Sequence, residues 1–226
     1  MQFPSAKAVA NPAIQNREQL IQALHTASEL EHMLACEYLF TAFTMRRKLS
    51  DFPTEVSKAQ RQVTLERSRM WLGQILLVAR QEMEHLGIVM NLLAAVGVDP
   101  YFDRPPFPQP AQLVDAPLCL DRFGVTSMRR FLWYERPAFL TPSFPAECFG
   151  CPAPPPTPSR VEAMGIHTIQ ELYDQIAAAF QSLPPSEVFQ GKYRPAVTAA
   201  YLWLCDQYGD DHECQRGSGR GRADPD

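Results

Sequence analysis

Two long stretches of the chain carry apolar or small residues at a spacing near 3.6. The first runs from about Arg17 to Lys48, with Leu20, Leu24, Ala27, Leu34, Ala35, Tyr38 and Ala42 on one face. A second is predicted from an N-cap at Thr54, directly after Pro53, to a terminating Gly97 with Pro100 beyond it, with room for a bend near Met70 and Trp71. Two helices of this length joined by a short connection are expected to pack antiparallel, as in a bundle. A shorter amphipathic pattern begins at Thr168 and sets Ile169, Leu172, Ile176, Ala179 or Phe180, and Leu183 on one side.

Proline divides these patterns. Fourteen of the 21 prolines lie between Pro100 and Pro158, which forbids long regular structure there except for a short helix over Thr126 to Glu135, stopped by Pro137. After Pro195 an apolar run, Val197 to Leu204, gives way to a polar, Gly- and Arg-rich tail from Cys205 to Asp226 that cannot bury a face. The expected organisation is one all-α domain over residues 1–204, with a long proline-rich insertion, and a tail over 205–226 that proteolysis would trim.

Composition narrows the function. With 46% hydrophobic residues in 226, the chain can bury a sizeable core, and 25 acidic against 21 basic residues give a net charge of −4. A non-specific nucleic-acid binder is not expected. No signal peptide or membrane span is indicated, and six unevenly spaced cysteines make a reducing cytoplasm the default. Cys148-Phe149-Gly150-Cys151 has the spacing of a zinc half-site without a matching pair, and Cys36 and Cys119 read as ordinary buried thiols. Phe131, Trp133 and Tyr134 read as core.

The candidate chemistry comes from carboxylates placed inside apolar stripes. Glu82 and His85 project from adjacent turns of the second helix, and Glu82 is flanked at helical spacing by Ile75, Val78, Ala79, Leu86, Val89 and Leu93. An unpaired carboxylate there must take up a proton or find a cation. The competing reading is a solvated Glu-x-x-His face.

On the first helix Glu31 is flanked by Leu24, Ala27, Leu34, Ala35 and Tyr38, with Tyr38 two turns on along the same face. Glu37 is a second possibility, and the Glu29/His32 pair lies on a wetter face. Glu171 is a candidate from the third long helix, but Thr168-Ile169-Gln170-Glu171 is also a capping box that would hold its carboxylate at the helix start. One inward Glu plus a Glu-x-x-His is half of a di-iron carboxylate arrangement, and hard oxygens with imidazole suit iron or manganese, with zinc possible.

Several segments together resemble the ferritin-like domain of the iminophenyl-pyruvate dimer synthase family. They are Leu20 to His25, Glu29-Leu30-Glu31-His32, Tyr38-Leu39, Gln81 to Leu86, Pro105 to Pro108, Arg130 to Pro137, and Thr168 to Tyr173. The resemblance covers roughly Leu20 to Leu204. It implies a ferritin-like bundle with Glu31, Glu82, His85 and Glu171 where such proteins hold non-haem iron, dinuclear in an intact site. It further implies an oxidative coupling of imine forms of aromatic 2-oxo acids in secondary metabolism, hence a small aromatic substrate and a homo-oligomer as possible partners. The family continues into a fourth apolar helix, whereas this chain turns polar at Asp206. Read one base later, permissible codons for 205–226 can spell an apolar, helix-like segment, which suggests a frame-altered or truncated product. The rival to all of this is a metal-free structural or interaction module in which Glu31, Glu82 and His85 hydrogen-bond one another.

Overall fold

The computed structural model describes residues 13–109, 116–136, 150, 164–166 and 168–190. The helices in order are α1 (Arg17–Phe43), α2 (Lys58–Ala95), α3 (Val125–Tyr134), α4 (Ile169–Ser182) and the single turn α5 (Pro185–Val188). A 3-10 turn at Leu49–Asp51 lies between α1 and α2 and packs on α2. Among the described residues the only ladder pairing is an isolated antiparallel bridge between Gln109 and Leu118, so the fold is all-α as expected. The tail, the boundary at 204, the apolar run from Val197 and the Cys148/Cys151 pair lie outside the described residues.

Local chemistry sets the helix ends. Asn16 caps α1 by accepting from the Gln19 amide at 2.9 Å. That helix stops at Phe43, short of the expected Lys48, because Asp51 accepts from the backbone amides of Arg47 and Lys48 at 2.8 and 2.9 Å and draws the chain into a turn. The Thr44 hydroxyl meanwhile bonds back to the Thr41 carbonyl at 2.8 Å. For α2 the cap is Ser57, which accepts from Gln60 at 3.3 Å, rather than Thr54; the Val56 amide reaches back to the Pro53 carbonyl, so residues 53–56 form a turn before the helix starts.

Gly97 ends α2 as predicted. It adopts φ +81, and Val98 donates to the Leu93 carbonyl at 2.9 Å, which closes the last turn. A Cβ at this position would lie 2.9 Å from the Gln190 carbonyl carbon, so glycine also admits the segment that follows α5.

The α1/α2 pair is antiparallel. Near one end Arg17 donates to the Val96 carbonyl, and near the other Ser68 donates to the Arg46 carbonyl. Two apolar clusters fill this hairpin. One joins Leu20, Leu24 and Ala27 to Val89, Leu93 and Val96 and is covered by Leu172 and Ile176 of α4. The other joins Leu34, Tyr38 and Ala42 to Ile75 and Ala79 and is covered by Phe131 of α3. Truncating a fully buried leucine such as Leu24 to alanine removes contacts worth about 2–5 kcal/mol.

Phe131 is core, as its place in the sequence suggests, but Trp133 and Tyr134 are only partly buried, and Cys36 is a free thiol that is likewise partly rather than fully buried. Cys119 departs from its reading as a simple thiol: it is buried but disulfide-bonded, with its partner outside the described residues. Among the described residues no helix is long and apolar enough to cross a membrane.

Candidate metal centre

The two apolar clusters do not merge. Between them the hairpin carries a polar waist built from the residues that interrupt both stripes: Glu31 of α1, one turn past Ala27, and Glu82 and His85 of α2, between Ala79 and Val89. Helical spacing brings Glu82 and His85 onto adjacent turns, and the antiparallel register brings Glu31 opposite. His85 Nδ1 lies 3.4 Å from Glu31 Oε2 and 3.4 Å from Glu82 Oε2. One ligand atom from each residue falls within 4.8 Å of the others. Glu31 and Glu82 are only 2% and 6% exposed, whereas His85 is half-buried and faces the edge of the hairpin.

This waist is rich in negative charge. Burial pushes the Glu82 carboxyl up to about 8, with the neighbouring Glu31 carboxylate adding to the rise and His85 opposing it. Burial works against protonation of His85, but the two carboxylates outweigh it and hold the imidazole at about 10. Glu31 Oε2 is buried with no hydrogen-bond partner, while Glu31 Oε1 accepts from the hydroxyl of Tyr173 on α4. Without a further cation, the group is a pair of buried acids sharing one imidazolium.

Glu171 stands apart from these three. Its carboxylate accepts from the Thr168 amide at 3.1 Å while its own amide donates to the Thr168 hydroxyl at 3.1 Å. The capping-box reading therefore describes its position: it is exposed at the start of α4, where a carboxylate satisfies an otherwise unpaired N–H and favours the positive end of the helix. Glu29 and His32 are likewise engaged elsewhere. Glu29 accepts from the Tyr101 hydroxyl at 2.8 Å, and His32 Nδ1 contacts the Phe102 carbonyl at 3.0 Å, so both fasten the loop after α2 to α1.

Two residues near the waist were not singled out in the sequence. Tyr173 belongs to the buried stripe of α4 beside Leu172, and a hydroxyl on an apolar stripe is the signal that it needs a buried acceptor. Glu135 caps the C-terminus of α3, four residues after buried Phe131. Although the residue as a whole is exposed, its carboxylate reaches inward to accept from the hydroxyl of buried Tyr38 at 2.6 Å. Burial of that carboxyl raises its pKa, the Tyr38 hydrogen bond opposes the rise, Glu82 adds to it and His85 reduces it, so Glu135 shares the field of the waist. The Tyr38 hydroxyl is pushed far up by burial and by Glu135, and it remains a proton donor. The expected approach of Tyr38 to the site is thus made through Glu135.

A second buried acid lies six residues along α1. Glu37 is fully buried, with Arg130 Nε of α3 at 3.9 Å and the Tyr134 hydroxyl at 3.3 Å. Arg130 also lies 3.5 Å from Asp121 and donates to the Cys119 carbonyl at 3.3 Å. Here α3 supplies a fixed cation, and the cluster ties α3 and the loop before it to α1.

A family model described as ferritin-like matches residues 24–203. No curated protein and no solved structure matches the chain significantly.

Proposed function

The chain belongs to the ferritin-like family, and from that premise we propose that it is a non-haem iron protein carrying out an oxidative reaction on a small aromatic molecule. Oxidative coupling of aromatic 2-imino acids, as in the iminophenyl-pyruvate dimer synthases it resembles, is the reading we favour. The observation that carries the metal is the waist itself: two buried carboxylates and an imidazole with ligand atoms within 4.8 Å of one another. A divalent cation would take the place of the protons that the waist retains on Glu82 and His85, and oxygen donors with one imidazole suit iron or manganese, or zinc.

Glu31, Glu82 and His85 would hold the metal, with Glu135 as a further carboxylate in the same field. Iron at such a site supplies one-electron and O₂ chemistry. The chain's own residues do the rest. Tyr173 fixes the rotamer of Glu31, and Tyr38 turns Glu135 inward. Glu82 and His85, held protonated above their ordinary ranges, release protons as a cation enters.

Half-exposed His85 leaves one side of the cluster open to small solutes. An open, mostly apolar groove of about 240 Å³ lies between α2 and the α3 region, walled by Trp71, Gln74, Ile75, Phe123 and Met128. Its Ile75 lies two turns from Glu82 on the same face of α2.

A second reading rests on the 3.4 Å contacts of His85 to both carboxylates: a protonated imidazole clamped between acids can hold the hairpin together without metal. Metal analysis separates the two. Full-length protein, reconstituted anaerobically with Fe(II) and desalted, should retain iron, and Glu82→Gln and His85→Gln should lose it while keeping their helical circular dichroism. Equal retention by wild type and both variants would overturn ligation by Glu82 and His85, and no retention by wild type with Fe(II), Mn(II) or Zn(II) would establish the metal-free reading.

A further inference from the structure

Residues 116–121 are the piece of chain through which α3 is held to α1. Ala116, Leu118 and Cys119 are buried, and Leu118 joins the apolar cluster of Leu34 and Tyr38. From α3 the Tyr134 hydroxyl donates to the Pro117 carbonyl at 2.9 Å and Arg130 donates to the Cys119 carbonyl at 3.3 Å. From α1 the Thr41 hydroxyl donates to the Asp121 carbonyl at 2.8 Å, and the Cys119 amide faces Glu37. Gln109 and Leu118 exchange backbone hydrogen bonds of 2.9 and 3.1 Å, which fixes the segment from its other side.

Cys119 sits among these ties and adds a covalent one. It is disulfide-bonded while Cys36 is a free thiol, so both states of cysteine coexist in the chain. The other ties just described are hydrogen bonds and apolar contacts, and the disulfide is the one that a thiol reagent undoes. Breaking it leaves the rest in place. The hydrogen-bonding groups of Cys119 described above are its backbone amide and carbonyl, which do not depend on the sulfur, and a buried thiol behaves as a small apolar side chain. Nor does the core rest on it, because no cysteine is among the buried residues of the two apolar clusters of the hairpin. The fold can therefore persist in both redox states and differ in how firmly residues 116–121 clamp α3.

We propose that the Cys119 disulfide is a redox-sensitive latch: oxidised, it clamps residues 116–121 against α3; reduced, it leaves the chain folded with α3 loosened from the hairpin. A small dithiol opens the latch by attacking the S–S bond. Two electrons and two protons pass to the two protein sulfurs, which become thiols, and the reagent closes to its own cyclic disulfide. Glu135 at the C-terminal cap of α3 moves with the helix, so its hydrogen bond from Tyr38 weakens in the reduced form. The inference is independent of whether the waist binds metal.

The test uses full-length protein purified in air and follows amide hydrogen exchange in α3 and α4 with and without dithiothreitol, with circular dichroism to confirm folding. Differential alkylation should find Cys119 blocked before reduction and alkylated after it. Reduction without denaturant should leave the helical signal unchanged, speed exchange across α3 about tenfold and leave α4 as it was. Reoxidation with glutathione disulfide should restore slow exchange. Cys119→Ala should exchange fast across α3 whether or not dithiothreitol is present. A freely alkylated Cys119 in protein purified in air, or a disulfide that opens only after denaturation, would overturn the proposal. So would loss of the helical signal on reduction, or exchange in α3 that does not quicken or quickens no more than in α4.

Discussion

Glu31 and Glu37 are buried acids six residues apart on one helix, yet their surroundings differ in kind. Glu37 meets a guanidinium that is itself 1% exposed, and each of the two acids also accepts from a tyrosine hydroxyl, Tyr134 for Glu37 and Tyr173 for Glu31. Glu31 meets a second carboxylate and an imidazole that is half in water. A buried acid supplied with its own permanent cation is a fastening. One whose sole positive neighbour can give up its proton is suited to receive a cation from outside. Burial alone does not separate the two, since it holds both Glu37 and Glu82 at about 8; the nature of the counter-charge does.

The largest effect expected from this contrast is at the fastening. Arg130→Met should cost about 3–5 kcal/mol in chemical denaturation, because it leaves Glu37 buried without its partner. Pairing it with Glu37→Leu should recover most of that loss. If Arg130→Met were nearly neutral, the Glu37 cluster would not be a fastening.

The next effect concerns pH. In metal-free protein Glu82 is raised to about 8 and His85 to about 10, so folding retains protons that the unfolded chain releases. The stabilisation from Glu82 is complete below about pH 4.5 and is lost as pH rises to about 8. That from His85 is complete below about pH 6.5 and is lost toward pH 10. Melting temperature should therefore fall from pH 5 to 9, and His85→Gln should shrink the fall between about pH 6.5 and 8, where Glu82 also contributes, and remove most of it above about pH 8. Saturating metal should reverse the trend at the waist, because ligands must be deprotonated to bind. Parallel pH profiles with and without metal would refute ligation by these groups.

Smaller differences follow from the tyrosines. Tyr173→Phe and Tyr134→Phe each remove one hydroxyl from a buried carboxylate and should destabilise by about 1 kcal/mol. Tyr173→Phe alone should also loosen metal retention. Smallest is Glu171→Ala, which removes half of a capping box and should cost roughly 0.5–1 kcal/mol with metal content unchanged. Loss of metal in that variant would restore Glu171 to the site.

The long helices and the waist were legible because they rest on spacing. Glu31, Glu82 and His85 each break an apolar stripe, and periodicity registers such a break directly. Helix ends were read less well: α1 stops at Phe43 because Asp51 captures two amides several residues on, a side-chain preference that the 3.6 pattern does not encode. Glu171 showed the reverse case, a local signature strong enough to account for the residue without the site. Glu135 and Tyr173 are not legible in the sequence because their roles depend on how α3 and α4 lie against α1, contacts fixed by packing across about 100 residues or more of sequence.

The polar waist has a consequence for how the hairpin opens. Two apolar clusters share the same pair of helices but draw their buried cover from different elements, α4 on one side and α3 on the other, with only Ile169 of α4 packing against both. The join between them is held by polar contacts of His85 with the two acids rather than by apolar adhesion. Such a molecule has a natural parting line, and its halves can exchange amide hydrogens as separate cooperative units. A cation gripped at once from α1 and α2 would act as a rivet across that line, merging two protection levels into one.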